Sequence, residues 1–435
     1  MADKQLSTES YKGVRDFYPA DMAVQRYMFE TWSKTAESFG FERYDASILE
    51  PSDLYKAKGA ENEEMVNEQT YTFTDRGGRE VTLRPEMTPT VARMIAGKRR
   101  ELAFPVRWYS IPNLFRYERP QRGRLREHWQ LNCDIFGGDS VAADVEIITL
   151  AHQLLLDFGA TPEQFEIQIN NRKVYSEVLL HLAKENDSDL TELQIRSVIR
   201  HADRINKLPP DDFKQGLVEI VGNKVGEAIA SFFASKHISE LPLEAREELF
   251  NVFNGLQELG IQNIKLNPTL ARGFDYYTGT IFEVFDVSGE NNRSMLGGGR
   301  YDNLTGMFGG EPISGVGFGM GDVTMRDFLE THNLLPDSVR STAPTLMIIP
   351  TDAPHNLAAQ KMAREFRANN ISVAVDFGTK KVGEKISRAS ERGSQFVIVV
   401  GEDEITSHTF TVKHLRTGTT ETGPTAALVA WITTH

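Results

Sequence analysis

The sequence predicts several domains of mixed α and β structure, and three observations carry that expectation. Its 435 residues correspond to two or three domains at roughly 150 residues each, enough to bury cores without disulfide staples. Between Val106 and Gly137, the segments Leu114 to Arg119 and Glu127 to Phe136 alternate apolar and polar residues around a charged loop, which reads as a pair of strands. From Pro344 onward, the apolar runs Thr345 to Pro350 and Gln395 to Val400 alternate with helical patterns at His355 to Asn369 and Lys381 to Arg392. With Ile371 to Phe377 between those helices, this spacing predicts a small α/β domain of about 90 residues.

Composition bounds the remaining classes. A hydrophobic share of 40% and a charged share of 25% are those of a globular protein, and no stretch reaches the ~18 apolar residues of a membrane span. Cys133 is the single cysteine, which excludes an intrachain disulfide framework and a cysteine-rich zinc site and fits a reducing compartment. The opening Met1 to Ser10 is polar and carries no apolar signal region, so a cytosolic location is expected. The balance of 48 Lys and Arg against 61 Asp and Glu gives -13, which argues against nucleic acid wrapped over most of the surface and leaves local patches. One such patch is Arg116, Arg119, Arg122, Arg124 and Arg126, whose plain reading is a solvated loop face.

Taken in order, Asp21 to Phe39 reads as an amphipathic helix with Asp21 at the N-cap and Val24, Met28, Trp32 and Phe39 near one stripe, a face suited to a sheet. A strand begins at Val81, and Thr88-Pro89 opens a helix with threonine at the N-cap and proline behind it. Glu86 and Thr88 therefore sit at a strand-to-helix junction, a common ligand position. In the paired strands, Arg116 and Glu118 share one face, and Gln130, Asn132 and Asp134 lie opposite Trp129, Leu131, Cys133 and Ile135. The polar face is either the floor of a buried site or a solvent face; its sparse, individually placed cations, carboxylates and amides favour the floor. Residues from about Asn171 to Leu259 are helical in pattern and show no chemistry. Glycines then return at Arg272 to Gly279, Gly297 to Asp302 and Gly315 to Gly321, the last alternating, which permits close approach of a strand or a flat ligand. A polar linker, Asn333 to Pro344, leads to the last domain, where Lys380, Lys381, Lys385, Arg388 and Arg392 give one helix a basic character.

Together these pieces resemble the class II histidyl-tRNA synthetases along nearly the whole chain. The matching text is Gly13-Val-Arg-Asp-Phe-Tyr-Pro19, Thr82-Leu-Arg-Pro-Glu-Met-Thr88, the motif 2 stretch Phe115-Arg-Tyr-Glu-Arg-Pro-Gln-Arg-Gly-Arg124, Leu270-Ala-Arg-Gly-Phe-Asp-Tyr-Tyr277 and Gly298-Gly-Arg-Tyr-Asp302. A single glycine motif is weak evidence, whereas an ordered set of this length is specific. The resemblance implies an α+β catalytic domain on an antiparallel sheet (1–170 and 260–332), a helical insertion (171–259), a C-terminal α/β anticodon-binding domain (343–435) and a homodimer. It implies a ligase that joins L-histidine to ATP as the adenylate, with Mg2+, and then transfers histidine to tRNA(His).

By the family pattern, Arg116 holds the carboxylate and α-phosphate, Glu118 the adenine amine and Arg124 the far phosphates, while Arg272 faces the α-phosphate from the other side. Arginine suits these places because its planar fork stays charged and grips phosphate bidentately. Glu86, Thr88 and Gln130 match the positions that take the α-ammonium. Asp134 and Tyr277 match those that read the imidazole, with Tyr276 and Tyr301 near it. The loop around Gln121 and Arg122 is expected at the acceptor end of tRNA and the basic helix with Lys381 and Lys385 at the anticodon; the carboxylates for magnesium are unassigned.

Two departures stand out. Asp134 replaces a glutamate common in the family, one methylene longer. The usual Gly-x-Glu-Arg ending of motif 3 is Gly321-Asp-Val-Thr-Met-Arg326 here, which puts Thr324 in the arginine's place. Arg326 lies two residues on, about 200° around a helix, and cannot simply substitute. This departure keeps open an alternative, a non-catalytic regulatory paralogue that senses histidine or regulates another enzyme, although such paralogues typically lack the C-terminal domain and lose motif 2 or the histidine-specific arginine.

Overall fold

The computed structural model describes residues 6–56, 69–202, 205, 208–235, 245–270 and 276–435. It divides into two compact units, one formed by Met1–Asp16 with Met28–Leu335 and the other by Phe17–Tyr27 with Pro336–His435. Arg272 lies outside the described residues.

The first unit is organised by a nine-stranded sheet. Its strand order is Glu42–Arg43, Val106–Ser110, Glu127–Phe136, Gly315–Gly321, Ser294–Tyr301, Thr280–Asp286, Phe165–Asn171 and Ile264–Leu266, with Asn113–Phe115 paired on the start of Glu127–Phe136. The interior pairings are antiparallel, and only the outermost strands at each end join in parallel. Glu127–Phe136 has the bounds its alternation predicts, and both of its faces are covered: Leu131 and Cys133 on one, Asn132 and Asp134 on the other, all buried. The polar face is therefore interior.

Its partner is shorter than expected and ends at Phe115. The chain folds back there, because the Glu118 N–H donates to the Arg116 carbonyl two residues before it, which ends the period of two. Helix starts also differ by a residue or two. Pro19–Ser38 opens on proline, so Asp21 falls in the first turn instead of at the cap. Thr88–Lys98 has Met87 at its cap and Thr88 as its first residue; Pro89 costs nothing there, since its missing N–H belongs to a turn without intrahelical partners. The stretch after Phe165–Asn171 is helical as its composition predicts, beginning with Arg172–Glu185, which Asn171 caps by accepting from the Lys173 N–H at 2.9 Å.

The second unit carries a five-stranded sheet in the order Val373–Val375, Leu346–Pro350, Phe396–Val400, Phe410–His414 and Thr420–Gly423. The first three strands are parallel, and the buried run Leu346–Pro350 reads as continuous apolar text because helices such as Asn356–Ala368 and Val382–Arg392 cover the sheet. The closing antiparallel hairpin had no clear sequence signal, since Thr420–Gly423 is too polar to read as a strand. No helix among the described residues is long and apolar enough to cross a membrane.

Candidate active site

A cavity of about 540 Å³ opens over the central strands of the first unit. The folded-back segment after Phe115 supplies Arg116, Glu118 and Arg124; strand Glu127–Phe136 supplies His128 and Gln130; Tyr277 and Glu283 close the far wall. Glu118, with its side chain only 7% exposed, pairs with Arg124 at 2.5 Å. Arg116 is held by its Nε, which donates to the Pro85 carbonyl at 2.9 Å, and so presents the rest of its fork to the cavity. His128 is pushed down to about 3 by burial and by Arg116, Arg15 and Arg124, so at neutral pH it is an uncharged polar neighbour of these cations.

Gln130 and Asp134 are four residues apart on one strand face, about 13 Å along the sheet. They stand opposite Gly321 and Gly317 in the register. A Cβ at Gly317 would overlap the Asp134 carboxylate, and one at Gly319 would lie 2.5 Å from the Gln130 amide carbon. The alternating glycines thus make room for these two side chains, and Gly319 and Gly321 also line the cavity.

Asp134 lies beside the cavity lining in a buried cluster continuous with Tyr277. Its Oδ1 accepts from the Tyr301 hydroxyl, and Oδ2 is buried with no hydrogen-bond partner among the described residues. Burial pushes the carboxyl up to about 7, against the lowering effect of Tyr301. The ring of Tyr276 is 5.0 Å from that of Tyr277 and 5.8 Å from that of Tyr301, and its hydroxyl donates to Glu86 at 3.0 Å; Thr88 also hydrogen-bonds it. Glu86, Thr88, Tyr276, Tyr277, Tyr301 and Asp134 therefore form one connected polar group against the core of Val91, Ile95, Val106 and Phe136.

The remaining expected residues are distributed differently. Gln121 and Arg122 occupy an exposed turn in which Gln121 bridges to Arg124, and Arg122 donates to Asn291 at 3.1 Å. In the second unit, Lys381 is exposed at the start of its helix, but Lys385 is 4% exposed and its ammonium donates to the Asp376 carbonyl at 3.0 Å. Lys385 does not face solvent, contrary to its expected place on a basic surface. The Thr324 hydroxyl donates to the carbonyls of Met295 and Gly321, and Arg326 pairs with Glu330 at 3.1 Å outside the cavity wall. Among the wall residues that the sequence did not single out are His128, Glu283 and Arg293. Glu283 had a signal, a carboxylate flanked by apolar residues inside a strand; Arg293, in a polar loop, had none.

A model of the family described as histidyl-tRNA synthetase matches residues 13–322, and one described as anticodon binding domain matches residues 345–435. A histidine–tRNA ligase of Leptospira biflexa serovar Patoc is 42% identical over 423 residues, covering 95% of each chain. The crystal structure of histidyl-tRNA synthetase from Nostoc sp. PCC 7120 superposes with a TM-score of 0.79 at 23% identity, covering 99% of this chain and 100% of that one. A Bacillus halodurans structure described as an ATP phosphoribosyltransferase regulatory subunit/histidyl-tRNA synthetase reaches 0.73 at 21% identity, covering 92% and 99%. At such identities the fold alone is shared, so the near-full-length ligase relative is what disfavours the regulatory alternative. By that relative and by the family model over residues 13–322, the chain belongs to the histidyl-tRNA synthetase family of ligases.

Proposed function

We propose that the chain activates L-histidine with ATP and transfers it to the 3′ end of tRNA(His). The observation that carries this reading is the pairing of a phosphate-suited group and a histidine-suited group: Arg116, Glu118 and Arg124 around the cavity, then Gln130, Tyr277 and the buried Asp134 with its orphan oxygen. The histidine carboxylate attacks the α-phosphorus, an O–P bond forms, and the bond to the β-phosphate oxygen breaks to release pyrophosphate. A terminal ribose hydroxyl of tRNA then attacks the acyl carbon and releases AMP.

In this reading Arg116 grips the carboxylate and α-phosphate, with Arg272 opposite it by family pattern. Glu118 takes the adenine amine, and Arg124 the far phosphates. Glu86, Thr88 and Gln130 hold the α-ammonium; Asp134 and Tyr277 read the ring, positioned by Tyr301 and Tyr276. A site built to bond both ring nitrogens rejects amino acids that lack them, by factors of roughly ten-thousandfold. Magnesium, when bound with ATP, would offset charge on the phosphates. Of the wall carboxylates, Glu283 fits an ion that keeps phosphate and water as most of its ligands, since Glu118 is taken by Arg124 and the adenine amine. The same reading takes 1–170 with 260–332 as the catalytic domain, 171–259 as an insertion and 343–435 as the anticodon reader. It assigns Gln121 and Arg122 to the acceptor end and Lys381 to the anticodon side, in a cytosolic homodimer.

The deciding experiment is ATP–pyrophosphate exchange. Exchange that depends on L-histidine and Mg2+ supports the reading; a protein that binds histidine yet shows no exchange would return the regulatory alternative.

A further inference from the structure

Thr324 contributes no charge to the cavity, and its hydroxyl is committed to backbone carbonyls. A cation close to it comes from another element. Arg293 immediately precedes strand Ser294–Tyr301 and lines the cavity with Arg116 and Arg124. Gly123 marks how closely it approaches: a Cβ there would lie 2.7 Å from Arg293 Cδ, 3.5 Å from its Nε and 3.4 Å from Thr324 Cγ2. Gly123 also has φ of 71°, in the left-handed region, so the turn both requires glycine and leaves the space through which Arg293 passes.

Register places this group at a defined end of the site. Leu296 stands opposite Met320, so Arg293 lies at the sheet end where Gly321 leads into helix Asp322–Thr331. Val323 and Thr324, in the first turn of that helix, line the same wall. Asp134 is at the other end of the strand, opposite Gly317. The Arg116 N–H donates to the Arg126 carbonyl, just before the strand residues that face Gly321, so a nucleotide whose α-phosphate lies at Arg116 directs its outer phosphates either back toward Asp134, a buried carboxylate, or toward Arg293 and the helix start. The second direction meets the positive charge of Arg293, and the Asp322 carboxylate at the helix start is already paired with Arg15 at 2.6 Å.

We infer that Arg293 binds the terminal phosphates of ATP beside Thr324. This rests on the ligase reading for the identity of the nucleotide, and it adds a fourth arginine to Arg116, Arg124 and Arg272 on the phosphate path. Arg293 is half-buried.

The test measures binding of ATP and of AMP to the full-length protein by calorimetry, with Arg293→Gln beside the wild type. Loss of one charge-assisted contact should weaken ATP about tenfold to a hundredfold and leave AMP unchanged. Adding Thr324→Arg to Arg293→Gln returns a guanidinium to the same place and should recover most of the loss. Unchanged ATP affinity in Arg293→Gln, or an equal loss for AMP, overturns the inference. Histidine-dependent exchange by the wild type, run alongside, reports separately on the ligase reading, since the ATP-to-AMP comparison needs no turnover.

Discussion

Replacing Asp134 with Asn should stabilise the folded protein and damage its substrate site at once. The carboxyl is 2% exposed and stands at about 7 instead of 3.8, because burial disfavours its charge more than the Tyr301 hydroxyl favours it. Unfolded, it ionises near 3.8; folded, near 7. Between those values the folded state holds the extra proton, so this group's contribution to stability falls as pH rises through the window, and the cost is complete above pH 7. Three pK units correspond to about 4 kcal/mol at 1.36 kcal/mol each, an upper figure for alkaline solution. Between pH 5 and pH 8 the cost grows by about 3 kcal/mol on the same arithmetic.

Asn keeps an oxygen to accept from Tyr301 and carries no charge at either pH. Asp134→Asn should therefore unfold at a higher temperature than the wild type, with a margin that widens markedly from pH 5 to pH 8. At pH 7.5 its KM for histidine should rise by roughly ten- to a hundredfold, the loss expected when a ring nitrogen gives up a charged partner worth about 1.5 to 3 kcal/mol. Thermal unfolding at the two pH values and exchange kinetics read both effects. A stability margin that does not change with pH would refute the buried-charge reasoning, and an unchanged KM would remove Asp134 from the ring contact.

Three further expectations concern other parts of the chain. Arg272→Ala should lose most of the exchange rate while retaining histidine affinity measured by calorimetry; normal exchange would remove it from the α-phosphate. Lys381→Ala should flatten the dependence of tRNA affinity on log salt by about one unit, whereas Lys385→Ala should lower the unfolding temperature of the C-terminal unit and leave that slope unchanged. Sedimentation at low micromolar concentration should show twice the mass of 48.9 kDa, and a species of single mass would refute the homodimer.

What the sequence revealed follows from which physical constraints leave a period behind. Glu127–Phe136 was legible end to end because one of its covered faces packs on the apolar core and the other on a polar site, so its side chains alternate in kind, here Cys133 against Asp134. The alternating glycines of Gly315–Gly321 were visible as a pattern, but their cause was not, since it lies in Gln130 and Asp134, nearly two hundred residues away. Lys385 was misread for a different reason. Counting basic residues on a helix ignores which face they occupy, and Ala389, one turn on, is buried beside it. A long aliphatic stem then crosses the apolar face to deliver its ammonium to the Asp376 carbonyl.

Arg293 shows the opposite failure. In Gly289-Glu-Asn-Asn-Arg293 nothing distinguishes it from a solvated turn, because its importance is set by what stands across the cavity and not by its own neighbours. The departure at Thr324 was the only trace: a cation missing from one helix start raises the question of which other element reaches that place. The sequence can pose that question, and only the pairing of Ser294–Tyr301 with Gly315–Gly321 answers it, by bringing the residue before one strand to the end of the other. If Thr324→Arg restores ATP binding to Arg293→Gln, the charge was required at that place and not at that residue, and the loss at motif 3 is a relocation.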